Sequence, residues 1–138
     1  MTTEGTSEPM ELTDQEWRQR LSAEEFHVLR EKGTDRPFSG EYTHPVYEGT
    51  FRCAACGQEL FAADDQFDSG SGWPSFVRPF DPAAVEMTVD NSLGMRRVEV
   101  TCRRCGGHLG HVFDDGPGPS GERWCINSTS LKLDGKAV

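Results

Sequence analysis

The sequence predicts a mainly β, antiparallel domain introduced by two short helices and cross-linked by a four-cysteine metal site. Three observations predict it. Two capping boxes, Thr13 with Glu16 and Ser22 with Glu25, open consecutive helical segments. Beyond Gly33 the apolar runs shorten to strand length and are punctuated by Gly, Pro, Asp and Asn. Cys53-x-x-Cys56 and Cys102-x-x-Cys105 supply two metal knuckles, whose four thiolates can close a tetrahedron.

A chain of 138 residues suits one core, and it is only 35% hydrophobic with 15 glycines and 8 prolines, so a metal cross-link would be a useful stabiliser. Residues 1–12, rich in Thr, Glu, Ser and Gly, read as a flexible tail, because they offer little apolar surface to offset the entropy of ordering. Residues 13–138 read as a single domain. The second helix is predicted from about Ala23 to Lys32, with Phe26, Leu29 and Arg30 at helical spacing and Gly33 placed to end it.

The strand-like runs are Val85 to Asp90, Arg96 to Thr101, Val112 to Phe113 and Arg123 to Asn127. Asp90 to Gly94 reads as the connection of a hairpin that delivers Cys102 and Cys105 just past its second strand. The metal cage is thereby expected to staple sheet ends. Two disulfides would be the alternative, but the start of the chain has no basic residues and no apolar export segment, so a reducing, cytoplasmic setting and structural zinc are the expectation.

The formal net charge of -9 opposes binding to a nucleic-acid backbone or an anionic membrane, since both depend on clustered Lys and Arg. No apolar stretch approaches the roughly 20 residues that span a bilayer. A monomer is the default assembly.

The fifth cysteine, Cys125, stands apart from both knuckles. In Arg123-Trp124-Cys125-Ile126-Asn127 the period of a strand puts Arg123, Cys125 and Asn127 on one face and Trp124 with Ile126 on the other. A guanidinium beside an outward thiol favours the thiolate, so the Cys125 pKa is expected below that of a free thiol. An idle surface cysteine is the plainer alternative. His108 and His111 follow the second knuckle and can move protons near neutral pH, unless they serve zinc or packing. Gly70-Ser71-Gly72-Trp73-Pro74-Ser75-Phe76 is a glycine-hinged loop whose indole suits a small apolar group, although a loop Trp is more often packing.

From about Leu12 to Leu133 the sequence resembles the B-type methionine sulfoxide reductases. The resemblance rests on Gly33-Thr34, Pro37 to Tyr42, Phe67 to Gly70 leading to Gly72-Trp73-Pro74-Ser75-Phe76, the His108 to Phe113 run, and Arg123 to Ser128. It implies a β-rich fold of two antiparallel sheets, sandwich- or barrel-like, with short N-terminal helices and a zinc cage at Cys53, Cys56, Cys102 and Cys105. It implies reduction of methionine-R-sulfoxide in oxidised proteins, with Cys125 as nucleophile flanked by Arg123. His111 would be the acid, His108 and Asn127 would arrange polar groups or water, and Trp73 with Phe113 would hold the substrate. Many members of the family carry a resolving cysteine where this chain has Ser71, so recycling by thioredoxin or a small thiol acting directly on Cys125 is expected. A zinc-stabilised binding module without catalysis and a thiol peroxidase or redox sensor are the competing readings. The first gives no role to an arginine-flanked thiol, and the second gives none to Trp73.

Overall fold

A computed structural model describes residues 10–91 and 94–138. The expected tail falls mostly on residues 1–9, outside the described part. Met10 donates its backbone N–H to the Arg104 carbonyl at 2.6 Å, and it packs with Leu12 against the core.

Helix α1 spans Asp14–Arg20 and α2 spans Ala23–Glu31, both opened by the reciprocal capping bonds of Thr13 with Glu16 and Ser22 with Glu25. The buried Trp17 of α1 lies under the Arg30 guanidinium of α2, 4.8 Å from the ring centroid, so Arg30 belongs to the packed face by its cation–π contact. The second helix ends one residue short of the expected Lys32. Lys32 itself takes the left-handed cap conformation, with φ of 58°. Gly33 is needed for a different reason: a Cβ there would sit 2.3 Å from the His27 ring.

The strands are β1 (Tyr47–Cys53), β2 (Glu59–Ala62), β3 (Gln66–Phe67), β4 (Ser75–Phe76), β5 (Val85–Asp90), β6 (Arg97–Cys102), β7 (His108–Phe113), β8 (Arg123–Ile126) and β9 (Leu131–Ala137). They form a three-stranded sheet in the order β2-β1-β9 and a six-stranded sheet in the order β3-β4-β8-β7-β6-β5. All the pairings are antiparallel. The core aromatic rings sit between the sheets. Phe61 of β2 stacks on Phe76 of β4 at 4.4 Å, Phe51 of β1 meets Phe76 edge-on at 5.5 Å, and Phe61 lies 6.2 Å from Trp124 of β8. Such pairs contribute about 0.5–1.5 kcal/mol each beyond the area they bury.

Strand β5 lies where its residues predict. Its partner β6 starts one residue later than expected, and Asp90 pairs with Arg97, so the hairpin connection is longer than Asp90 to Gly94. Cys102 is consequently the last residue of β6 rather than just beyond it. Strand β7 extends back to His108, well before the apolar Val112-Phe113 pair, because histidines and Gly110 dilute the apolar pattern of a real strand.

Candidate active site and cysteine cluster

The alternation of β8 creates the site. Trp124 and Ile126 are buried in the core, which turns Arg123 and Cys125 toward a cavity of about 230 Å³. Thr34, Ser71, Trp73, Arg97, His111 and Phe113 line it as well. His111 is the direct cross-strand partner of Cys125 in the β7–β8 ladder. Asn127 reaches the same cavity although it is only 3% exposed.

Arg123 pulls the thiol pKa down as expected, but the net shift is the reverse of the expected one. Burial pushes the Cys125 pKa up, and the opposing pull of Arg123 and the Ser71 hydroxyl does not cancel it. The guanidinium is committed elsewhere: Arg123 Nε donates to Asp115 at 2.8 Å, with a second bond at 3.3 Å, and the same group covers the Phe113 ring at 4.6 Å. Sequence alternation places Arg123 beside Cys125 but cannot reveal the competing carboxylate.

The two histidines differ. His108 is buried, with Nδ1 2.8 Å from Glu99, whose other oxygen meets Lys32 at 3.1 Å. Burial pushes its pKa down, against the pull of Glu99. It does not line the cavity, and its ring lies 5.6 Å from that of His111. His111 lines the cavity itself, with Nε2 2.9 Å from Asp90, a carboxylate that also meets Arg97 at 3.5 Å. Asp90, Glu99 and Arg97 escaped the sequence reading, because charged residues alternating along β5 and β6 look like an ordinary solvated face.

Trp73 is held as a wall. Its indole N–H donates to the Asp35 carbonyl at 2.9 Å, and the Asp35 carboxylate accepts from the Thr129 hydroxyl at 2.6 Å and the Thr129 amide at 3.0 Å. The Asp35 amide donates to Asn127 Oδ1 at 2.9 Å, while the Asn127 side-chain amide donates to the Leu109 carbonyl at 3.1 Å. Gly72, at φ of +96°, supplies the backbone conformation that brings the indole round.

The other four cysteines lie together, with every pair of sulfurs within 4.8 Å. Cys53 and Cys105 are 3.7 Å apart, and Cys56 and Cys102 are 3.5 Å apart. Metal–sulfur bonds of about 2.3 Å in a tetrahedron give edges of about 3.8 Å, so the donor set fits a zinc ion. Hydrogen bonds among the sulfurs push Cys53 up and Cys56 down, as expected of thiols crowded where a cation would replace their protons. The first knuckle ends β1 in one sheet and the second ends β6 in the other, so the cluster joins the two sheets.

The model of the SelR domain family matches residues 21–135. The peptide methionine sulfoxide reductase MsrB of Methanosarcina mazei is 53% identical over 122 residues, covering 88% of this chain and 87% of its own. That of Bradyrhizobium diazoefficiens is 53% identical over 134 residues, covering 97% and 96%. The mitochondrial methionine-R-sulfoxide reductase B3 of Mus musculus is 53% identical over 121 residues, covering 88% of this chain and 48% of its own. A family match over residues 21–135 and relatives 53% identical over most of the chain leave one assignment: the chain belongs to the B-type methionine sulfoxide reductases, the SelR domain family.

Proposed function

We propose that the protein reduces the R epimer of methionine sulfoxide, in proteins and as the free amino acid, using Cys125 as nucleophile. The observation that carries this reading is the opposition of Cys125 and His111 across β7 and β8, in a cavity walled by a fixed indole. Oxide is a very poor leaving group, so attack at the sulfoxide sulfur needs the oxygen to gain a proton as the new bond forms. Cys125 thiolate attacks and His111 protonates the oxygen. The oxygen passes to Cys125, and methionine departs as the transient sulfur–sulfur bond breaks. The substrate gains two electrons, and Cys125 becomes a sulfenic acid.

Trp73 and Phe113 receive the methyl end of the substrate, while Asn127 and the buried His108 hold the polar side of the cavity in place. Fixing the methyl group, the oxygen and the attacking sulfur at three points is what selects one epimer. Cys53, Cys56, Cys102 and Cys105 hold one structural zinc ion, whose closed sulfur shell supplies cross-linking and no chemistry.

With Ser71 in the cavity and the remaining thiols in the cluster, an outside thiol attacks the sulfenic sulfur and releases water. A second thiol then frees Cys125 from the mixed disulfide, so two reductant thiols are oxidised per sulfoxide. Thioredoxin and a small cellular thiol are the two candidate donors. Turnover of the R and S epimers, with each donor supplied in turn, tests both halves. R-selective methionine release supports the reading, and equal or absent turnover of both epimers overturns it. Faster turnover of peroxide than of the R sulfoxide would instead mark a thiol peroxidase.

A further inference from the structure

Three serines near Cys125 form a continuous run of hydroxyls. Ser69 Oγ is 2.8 Å from Ser71 Oγ and 2.7 Å from Ser75 Oγ, and Ser75 Oγ lies 3.1 Å from the Trp73 carbonyl. Both ends are anchored. Ser75 is fully buried in β4 as the cross-strand partner of Cys125, and Ser71 lines the same cavity as Cys125, where its hydroxyl draws the thiol pKa down. The backbone fixes the spacing: the Ser71 N–H donates to Ser69 Oγ at 3.2 Å and the Trp73 N–H to Ser71 Oγ at 3.5 Å.

Each hydroxyl owns one proton and can accept another, so the run has two self-consistent polarities. With Cys125 as a thiol, Ser71 can donate to Ser69, Ser69 to Ser75, and Ser75 to the Trp73 carbonyl. With Cys125 as a thiolate, Ser75 donates to Ser69, Ser69 to Ser71, and Ser71 to the sulfur. Every hydroxyl proton has an acceptor in both states. Only O–H bonds rotate, and aligned hydroxyls strengthen the last bond to the anion.

We propose that Ser71 is the hydrogen-bond donor that steadies the attacking Cys125 thiolate, and that Ser69 and Ser75 are positioning residues that reverse their hydroxyls as the sulfur ionises. This rests on Cys125 being the nucleophile. The proton lost by the thiol leaves through the open cavity, and the three hydroxyls keep their own. The charged groups around the sulfur are Arg123 with its partner Asp115, His111 with its partner Asp90, and Arg97 at the cavity wall. Asp35 points its carboxylate to Thr129. Because Arg123 commits two of its donors to Asp115, a neutral donor on the other side of the sulfur has a role left to fill. The position that would hold a second thiol in related chains thus serves the first half of the reaction here.

The test is the pH dependence of Cys125 alkylation by iodoacetamide on the metal-replete protein, with single-adduct formation followed by intact mass. No sulfoxide is involved, so failure here leaves the proposed reductase activity standing, and the Cys125→Ser turnover assay judges that activity separately. Ser71→Ala is expected to slow alkylation at neutral pH by roughly tenfold and to move its midpoint to higher pH, as for loss of a hydrogen bond to a charged group. Ser71→Thr keeps the hydroxyl and is expected to match the parent, and Ser69→Ala to fall between. Superimposed profiles for Ser71→Ala and parent, both folded, overturn the proposal, as does a Ser71→Thr profile equal to that of Ser71→Ala. If Ser71→Ala does not fold, Ser69→Ala decides, and an unshifted profile there refutes the chain.

Discussion

His111 and Cys125 are paired residues of adjacent strands, one tethered to Asp90 and the other sharing its cavity with Ser71. The proposed acid and the proposed attacking sulfur are therefore placed by sheet register rather than by a loop.

Cys125→Ser is expected to lower reduction of methionine-R-sulfoxide by about 10³-fold or more, since a hydroxyl at neutral pH is a far weaker nucleophile than a thiolate. Half-buried and outside the metal cluster, the replacement should leave the melting temperature nearly unchanged. Methionine release and thermal unfolding, measured on the same preparation, check the two halves.

His111→Gln is expected to slow the single-turnover formation of methionine by roughly 10² to 10⁴-fold, the usual span for loss of a positioned acid. Removing Asp90 by Asp90→Asn should produce a smaller loss, because the imidazole stays but its tether weakens. Rapid-quench assays without a recycling thiol isolate this step from reduction of the sulfenic acid.

Trp73→Ala removes the wall of the cavity and is expected to lower kcat/KM about 10- to 100-fold, in keeping with loss of one apolar subsite contact. Selectivity between the R and S epimers should fall with it. Competition between the two epimers, read by chiral separation of the remaining sulfoxide, gives the ratio directly.

Stability should decline on mild acidification. Burial lowers the His108 pKa from an ordinary 6.5, so the unfolded chain takes up a proton that the folded one refuses. The contribution of the neutral imidazole is complete above about pH 6.5 and is lost as the pH falls from there toward the folded value. Urea midpoints collected across this window should drop for the parent and drop less for His108→Gln.

One zinc per chain is expected by elemental analysis, and stripping it with a chelator should unfold or strongly destabilise the protein, because the cluster joins both sheets. Cys102→Ser, which removes a buried ligand, should lower the melting temperature and the zinc content together. A melting temperature unchanged after complete metal removal would refute the cross-link.

The cysteine cluster and the face of β8 are more legible in the sequence than the course of the remaining strands. Paired spacing announced the Cys53 to Cys105 cluster, and period-two alternation placed Cys125 against an apolar pair that the core would bury. The family resemblance implies a second sheet, but the strands of the three-stranded one are not located by the residues themselves. Strand β1 is exposed or half-buried at Tyr47, Glu48, Gly49 and Thr50, and β9 at nearly every residue after Leu131, so neither shows the apolar alternation by which a strand is recognised. The thiol's ionisation was misread for a related reason. Sequence shows a charged neighbour, whereas the burial that outweighs it and the Asp115 that occupies it depend on distant parts of the chain.

Asp35 binds Thr129 with its carboxylate, Asn127 with its amide and Trp73 with its carbonyl, which locks three separate stretches of chain into one unit. The entropy of immobilising the indole is therefore spent when the chain folds, not when a ligand arrives. A client carrying an oxidised side chain on a disordered segment has its own flexibility to lose, and a receptor that is already rigid asks it to lose nothing more.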